Sequence, residues 1–154
     1  MNRTTRIALL LVMSIAGCSK QEIDIHAFTD DPTITTLNGN WKVRSFEDFT
    51  QNTVEFKTQE NSRGLDIIIT FDDSKQLYEL SGQNTTNTIA AEFEYTGDRH
   101  FEISHVASTE VAQPRWADQF IDAILDGDLR YKINTTLLRI YYDNESKSVT
   151  LSRI

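Results

Sequence analysis

Leu65-Asp66-Ile67-Ile68-Ile69-Thr70-Phe71 is the stretch on which the fold turns. Isoleucine and threonine are stiff at the β-carbon and phenylalanine is bulky, so the run suits an extended chain better than a helix. Leu65, Ile67, Ile69 and Phe71 share one face at the two-residue period of a strand. Ile68 breaks the alternation, so another element is expected to cover part of the second face. Asp72-Asp73-Ser74-Lys75 follows as a turn and sends the chain back through residues 76–80 as a hairpin.

The same period continues in both directions. Upstream, Trp41-Lys42-Val43-Arg44 alternates apolar and charged residues, residues 54–56 read as a weaker strand, and residues 59–64 as a loop. Downstream, Ile89, Ala91, Phe93 and Tyr95 alternate with Ala90, Glu92 and Glu94, and Gly97-Asp98 turns the chain into residues 101–106. Residues 129–133, 137–142 and 149–151 form a closing meander, with turns at Asn134-Thr135-Thr136 and Asp143-Asn144-Glu145-Ser146-Lys147. One helix interrupts this series, over residues 114–126. Pro114 suits a first helical turn, where no N–H is needed. At the helical period Trp116, Ala117, Phe120, Ile121, Ala123 and Ile124 share one side, with Leu125 at its edge. Arg115, Asp118, Gln119, Asp122 and Asp126 oppose them, and Gly127 stands where a left-handed stop is expected. The predicted fold is mainly β, a β-rich α+β domain. It is an antiparallel meander in a barrel-like sheet, with one amphipathic helix packed on or into it.

The first residues carry a different signal. Arg3 and Arg6 precede an apolar run, Ile7-Ala8-Leu9-Leu10-Leu11-Val12-Met13-Ser14-Ile15-Ala16. Ten residues fit the core of a cleavable export signal and fall short of the ~20 needed to span a bilayer. The run ends in Ile15-Ala16-Gly17-Cys18, which resembles the lipobox of bacterial lipoproteins. That resemblance implies cleavage before Cys18 and acylation of Cys18 with diacylglycerol and an amide-linked chain such as palmitate. Several acyl chains anchor a protein firmly, whereas one holds it marginally. Ser19, where enteric inner-membrane lipoproteins carry Asp, points to the outer membrane. The expected organisation is a signal peptide over residues 1–17, a polar tether over 18–36 and a β-rich domain over 37–154. His26 lies in the tether and reads as solvated.

The chain has 15 basic and 23 acidic residues, for a net charge of −8. Loss of Arg3 and Arg6 with the signal leaves 13 against 23, or −10. An acidic surface of this kind disfavours nucleic acid and anionic lipid headgroups.

Residues 82–113 resemble the META domain family of bacterial envelope proteins. The residues that carry the likeness are Gly82, Asn87 five residues on, Phe93 six further, and Thr109-Glu110-Val111-Ala112-Gln113 after Ser108. Leu37-Asn38-Gly39-Asn40-Trp41 is similar to the family's opening strand. Relatives place cysteines at the positions of Thr86 and Gln113, and an arginine at that of Glu110. The resemblance implies a barrel-like domain with one helix, an envelope or stress role, an envelope-protein partner and no catalytic activity. It also implies that Thr86 and Gln113 lie close together, although this chain has only Cys18.

Motifs for chemistry are sparse. There is no nucleophile elbow, phosphate-binding glycine loop or Cys/His cluster, so neither a cofactor nor a metal is expected. His100 and His105 are five apart on a turn and a strand and point apart. Asp72-Asp73 reads as a solvated turn, and Asp143-Asn144-Glu145 lacks the spacing of a calcium loop. Ser81-Gly82-Gln83-Asn84-Thr85-Thr86-Asn87-Thr88 is the least ordinary stretch. Gln83, Asn84 and Asn87 are candidates for a loop that hydrogen-bonds a glycan or peptide. The alternative is a bulged strand start in which Asn87 satisfies backbone groups. Three functions therefore compete: an envelope lipoprotein that binds another protein or supports the envelope under stress; a lipocalin-like carrier of a small apolar ligand, suggested by Gly39-Asn40-Trp41; and, least favoured for want of a paired nucleophile and base, an enzyme. A carrier needs a cleared interior, whereas Trp116, Phe120 and Ile124 are placed to fill this one.

Overall fold

The computed structural model describes residues 28–74, 78–109 and 111–154. The signal over 1–17, Cys18 and the tether as far as residue 27 lie outside the described residues, as do residues 75–77 of the first hairpin and Glu110. The elements run β1 (Gly39–Asp48), β2 (Thr53–Phe56), α1 (Gln59–Ser62), β3 (Ile67–Asp72), β4 (Tyr78–Asn84), β5 (Asn87–Gly97), β6 (His100–Ser108), α2 (Arg115–Ile124), β7 (Asp128–Ile133), β8 (Leu137–Tyr142) and β9 (Lys147–Arg153).

From β3 to β9 each strand pairs antiparallel with the next, β1 pairs with β3, and β9 returns to β1. The result is a closed eight-stranded antiparallel barrel. β2 stands outside that count. Residues 39–42 of β1 pair with β3, whereas residues 45–48 pair on with β2. The period-2 pattern is what folds this way: Ile67, Ile69 and Phe71 are buried, and Ile68, Thr70 and Asp72 are half-buried. The strand starts two residues later than expected, and Leu65 stays exposed. Residues 59–62 are not loop but the single turn α1, held by a capping box in which Thr58 and Asn61 bond each other's backbone N–H. Four polar residues have no apolar period to reveal them.

β3 and β4 approach unusually closely at Gly82, where a Cβ would sit 2.1 Å from the Ile68 carbonyl oxygen. Only glycine fits there.

The barrel interior is occupied by large side chains. Trp41, Phe71, Leu80, Phe101, Leu129, Ile133, Leu138, Ile140, Val149 and Leu151 are fully buried. Phe71, Phe93, Phe101, Tyr78, Tyr95 and Tyr131 form a cluster with ring centroids 5.3 to 6.4 Å apart, mostly edge-to-face. That geometry sets the positive ring edge against the negative face.

Each end of the barrel is covered by a different device. At one end lies α2, with Trp116, Ala117, Phe120, Ala123 and Ile124 buried and Trp116 edge-on to Phe46 at 4.7 Å. The helix is shorter than expected. Pro114 is its extended N-cap and Leu125 its C-cap, while Gly127 takes the left-handed turn (φ +86°) into β7. At the other end residues 29–37 form a strap, so the described part of the segment read as a polar tether over 18–36 packs against the barrel. Asp31 N–H donates to the Ile133 carbonyl and Ile133 N–H to Asp30, both at 2.8 Å. Arg99 donates to the carbonyls of Asp31 and Ile34, Tyr131 Oη to that of Thr35 (3.0 Å), and Leu37 N–H to Tyr95 Oη (2.7 Å). Arg153 closes the same end, with its guanidinium 4.2 Å from the Trp41 ring centre. Gly39, at φ +138°, leaves room for it, since a Cβ there would lie 2.3 Å from Arg153 Nη1. Among the described residues no helix is long and apolar enough to cross a membrane.

Candidate functional site

The unusual Gly-Gln-Asn-Thr-Thr-Asn stretch is a tight hairpin between β4 and β5, with Asn84 opposite Asn87 and Thr85-Thr86 as the turn. Thr85 is fully buried at φ +56°, a left-handed conformation that a β-branched residue rarely adopts. Such a residue costs on the order of 1–3 kcal/mol and persists only where its surroundings over-determine it. Here the residues that flank the turn, Asn84 and Asn87, are fixed by the chain leading into α2.

Asn87 Nδ2 donates to the Val111 carbonyl (2.9 Å) and to Gln113 Oε1 (2.8 Å). Its Oδ1 accepts from Val111 N–H (3.0 Å) and Thr109 Oγ1 (3.2 Å). Asn84 Nδ2 donates to the Ala117 carbonyl and to Gln113 Oε1, each at 3.2 Å. Asn84 and Asn87 are buried and staple Thr109, Val111, Gln113 and Ala117 to the turn, so they are not ligand-facing; Asn87 satisfies backbone groups, as the alternative reading has it, at a hairpin without a bulge. Of the three candidates only Gln83 is exposed, and its amide donates to the Thr85 carbonyl at 2.7 Å. Gln113, bonded to both asparagines, lies against the turn that contains Thr86.

The stapled segment forms one wall of an open groove of about 820 Å³. Val106, Ala107 and Ser108 of β6 form one side, Val111 and Ala112 the end, and Asp118 and Ile121 of α2 the other side. Sequence reading missed this groove, because it arises from where β6 loses its neighbour. β6 pairs with β7 only over His100, Phe101 and Glu102. Beyond Glu102 it pairs with β5 alone among the described residues. A bulge interrupts that pairing, with His105 and Val106 facing Ala91 and His105 at φ +49°. Asp118 is exposed and accepts from Gln113 Nε2 at 2.7 Å.

The remaining titratable candidates are spread apart. His100 Nδ1 lies 3.0 Å from Asp128, and His105 Nδ1 3.0 Å from Glu92. Asp73 accepts from Tyr95 Oη at 3.0 Å, and Asp143 pairs with Lys147 at 2.7 Å. Among the described residues no three His, Cys, Asp or Glu side chains converge as a metal site requires. Burial is the main cause that pushes the Tyr142 hydroxyl up to about 12, with Asp48, Asp143, Asp122 and Asp126 adding to it.

Neither a scan against protein-family models nor a search of curated proteins finds a match to this chain. Two solved structures are similar. An NMR structure of a protein from Burkholderia xenovorans superposes over 100% of this chain and 99% of its own, with a TM-score of 0.64 at 11% identity. A crystal structure of a DUF4847 family protein from Bacteroides vulgatus covers 75% of this chain and 92% of its own, with a TM-score of 0.52 at 18% identity. At these identities the likeness establishes the shared fold.

Proposed function

We propose that this chain is a lipid-anchored, non-enzymatic envelope protein, META-like in kind, that works from the outside of a filled barrel by binding another protein. The observation that carries this reading is the interior. Eight strands enclose a space that side chains can fill or that one small ligand can occupy. Here Trp41, Phe71, Phe93, Phe101 and Tyr131 converge within it, α2 covers one end, and residues 29–37 with Arg153 cover the other. A carrier of an apolar molecule would have to displace both the aromatic cluster and a cover. The carrier reading draws its support from the closed eight-stranded architecture and from Trp41 near the start of β1.

The two readings part in a titration of the purified full-length protein with a fluorescent fatty acid and with N-phenylnaphthylamine. The expected outcome is no saturable uptake. One-to-one uptake that quenches the emission of Trp41 or Trp116 would establish the carrier instead.

A further inference from the structure

A strand that keeps one neighbour and loses the other leaves a row of backbone donors and acceptors open to any extended chain. β6 is such a strand. Thr109 N–H donates to the Thr88 carbonyl, so backbone alternation turns the polar groups of Ser108 and Val106 away from β5. They face the groove, where β7 has already ended. The opposite wall offers apolar contact at Ile121 and Val111 and one carboxylate, Asp118.

We propose that the free edge of β6 and the groove beside α2 bind an extended peptide segment of a partner protein by strand addition. The segment would carry an apolar side chain over Val111 and Ile121 and a lysine or arginine toward Asp118. The proposal rests on the reading that this protein acts from its exterior. Charge complementarity selects the basic residue: Asp118 is the one charged side chain in the described lining, and the whole chain carries −8. The bulge selects a short segment over a second copy of the chain. An isologous β6–β6 pair would set two bulged edges against each other and break the ladder on both strands. A short segment meets only one bulged edge and has to pair only with residues 106–108.

The test titrates the full-length protein with synthetic hexapeptides that alternate valine and threonine, with lysine moved through each position. Amide exchange by NMR reports the site. At saturating peptide the Val106 and Ser108 amides should gain protection. N-methylation of alternate peptide nitrogens should weaken binding about tenfold or more, because it removes the ladder. Asp118→Lys should weaken lysine peptides about tenfold with an unchanged melting temperature. Asp118→Asn, which keeps an acceptor for Gln113, controls for loss of that contact.

Equal binding by the N-methylated peptide, absence of protection at those two amides, or no binding by any member of the set overturns the proposal. Protection of the same amides by concentration-dependent dimerisation, without peptide, overturns it in favour of a second copy. Uptake of the fatty-acid probe overturns the filled-barrel reading and is told apart by its site: it would perturb the aromatic cluster around Phe71, Phe93 and Phe101, none of which lines the groove.

Discussion

Asn87 shows what a single side chain contributes here. Its amide makes four hydrogen bonds to Thr109, Val111 and Gln113 while nearly fully buried. Asn87→Ala would remove all four bonds, two of them to the backbone of the exposed Val111, and a typical hydrogen bond contributes about 0.5–1.5 kcal/mol net. Urea unfolding should show a loss of at least that size, and a midpoint equal to wild type would mean that the staple is dispensable. Asp66 offers a second test at this scale. Burial acts to raise its pKa, but Lys42 at 2.6 Å and Lys57 at 2.5 Å outweigh burial and hold the carboxyl below its ordinary value. A carboxylate depressed in the folded state contributes stability above its unfolded pKa, and that contribution is lost as pH falls through the folded value. Wild type should therefore lose stability below about pH 4 more steeply than Asp66→Asn. Parallel acid limbs in the two unfolding profiles would rule this out.

Among the elements, α2 matters most to the closed end. Its buried stripe of Trp116, Phe120 and Ile124 is continuous with the barrel core through Phe46. Trp116→Ala or Phe120→Ala should cost ~3–5 kcal/mol, the range for large aromatic truncations in cores. Melting curves that overlay wild type would mean the helix does not seal the barrel. The helix was legible in the sequence because six apolar residues recur at its period, and its partners were not. In the sequence Asn84 and Asn87 read either as ligand-facing amides or, for Asn87, as a side chain that satisfies backbone groups, with no sign of which backbone. Only the return of residues 109–117 across the hairpin makes them buried staples. The strap had no apolar period at all. It docks through backbone groups bonded by Arg99, Tyr131 and Tyr95, which no local pattern announces.

At the scale of the molecule, the proposed lipid anchor predicts that Cys18 alone holds the acidic, filled barrel at the membrane. Cys18→Ala should shift the protein from the membrane to the soluble fraction and abolish labelling with radioactive palmitate. Continued pelleting with label in that variant would refute the lipobox reading. The barrel should remain folded in the variant, because its described contacts involve residues 28 onward.

Periodicity and composition by themselves determined where the barrel strands and α2 lie, to within a few residues at their ends, and which face of each is buried; the single turn α1 carried no such pattern. Local sterics and the hydrophobic effect act along a few residues at a time, and Ile67-Ile68-Ile69-Thr70-Phe71 or Trp116 to Ile124 carry those preferences wherever they are placed. The tertiary structure alone decided that β9 closes on β1, that β1 divides one edge between β2 and β3, and that β7 ends early enough to leave β6 open. Partner and register depend on contacts between residues far apart in the chain. A strand edge is satisfied or free according to a neighbour that its own sequence does not name.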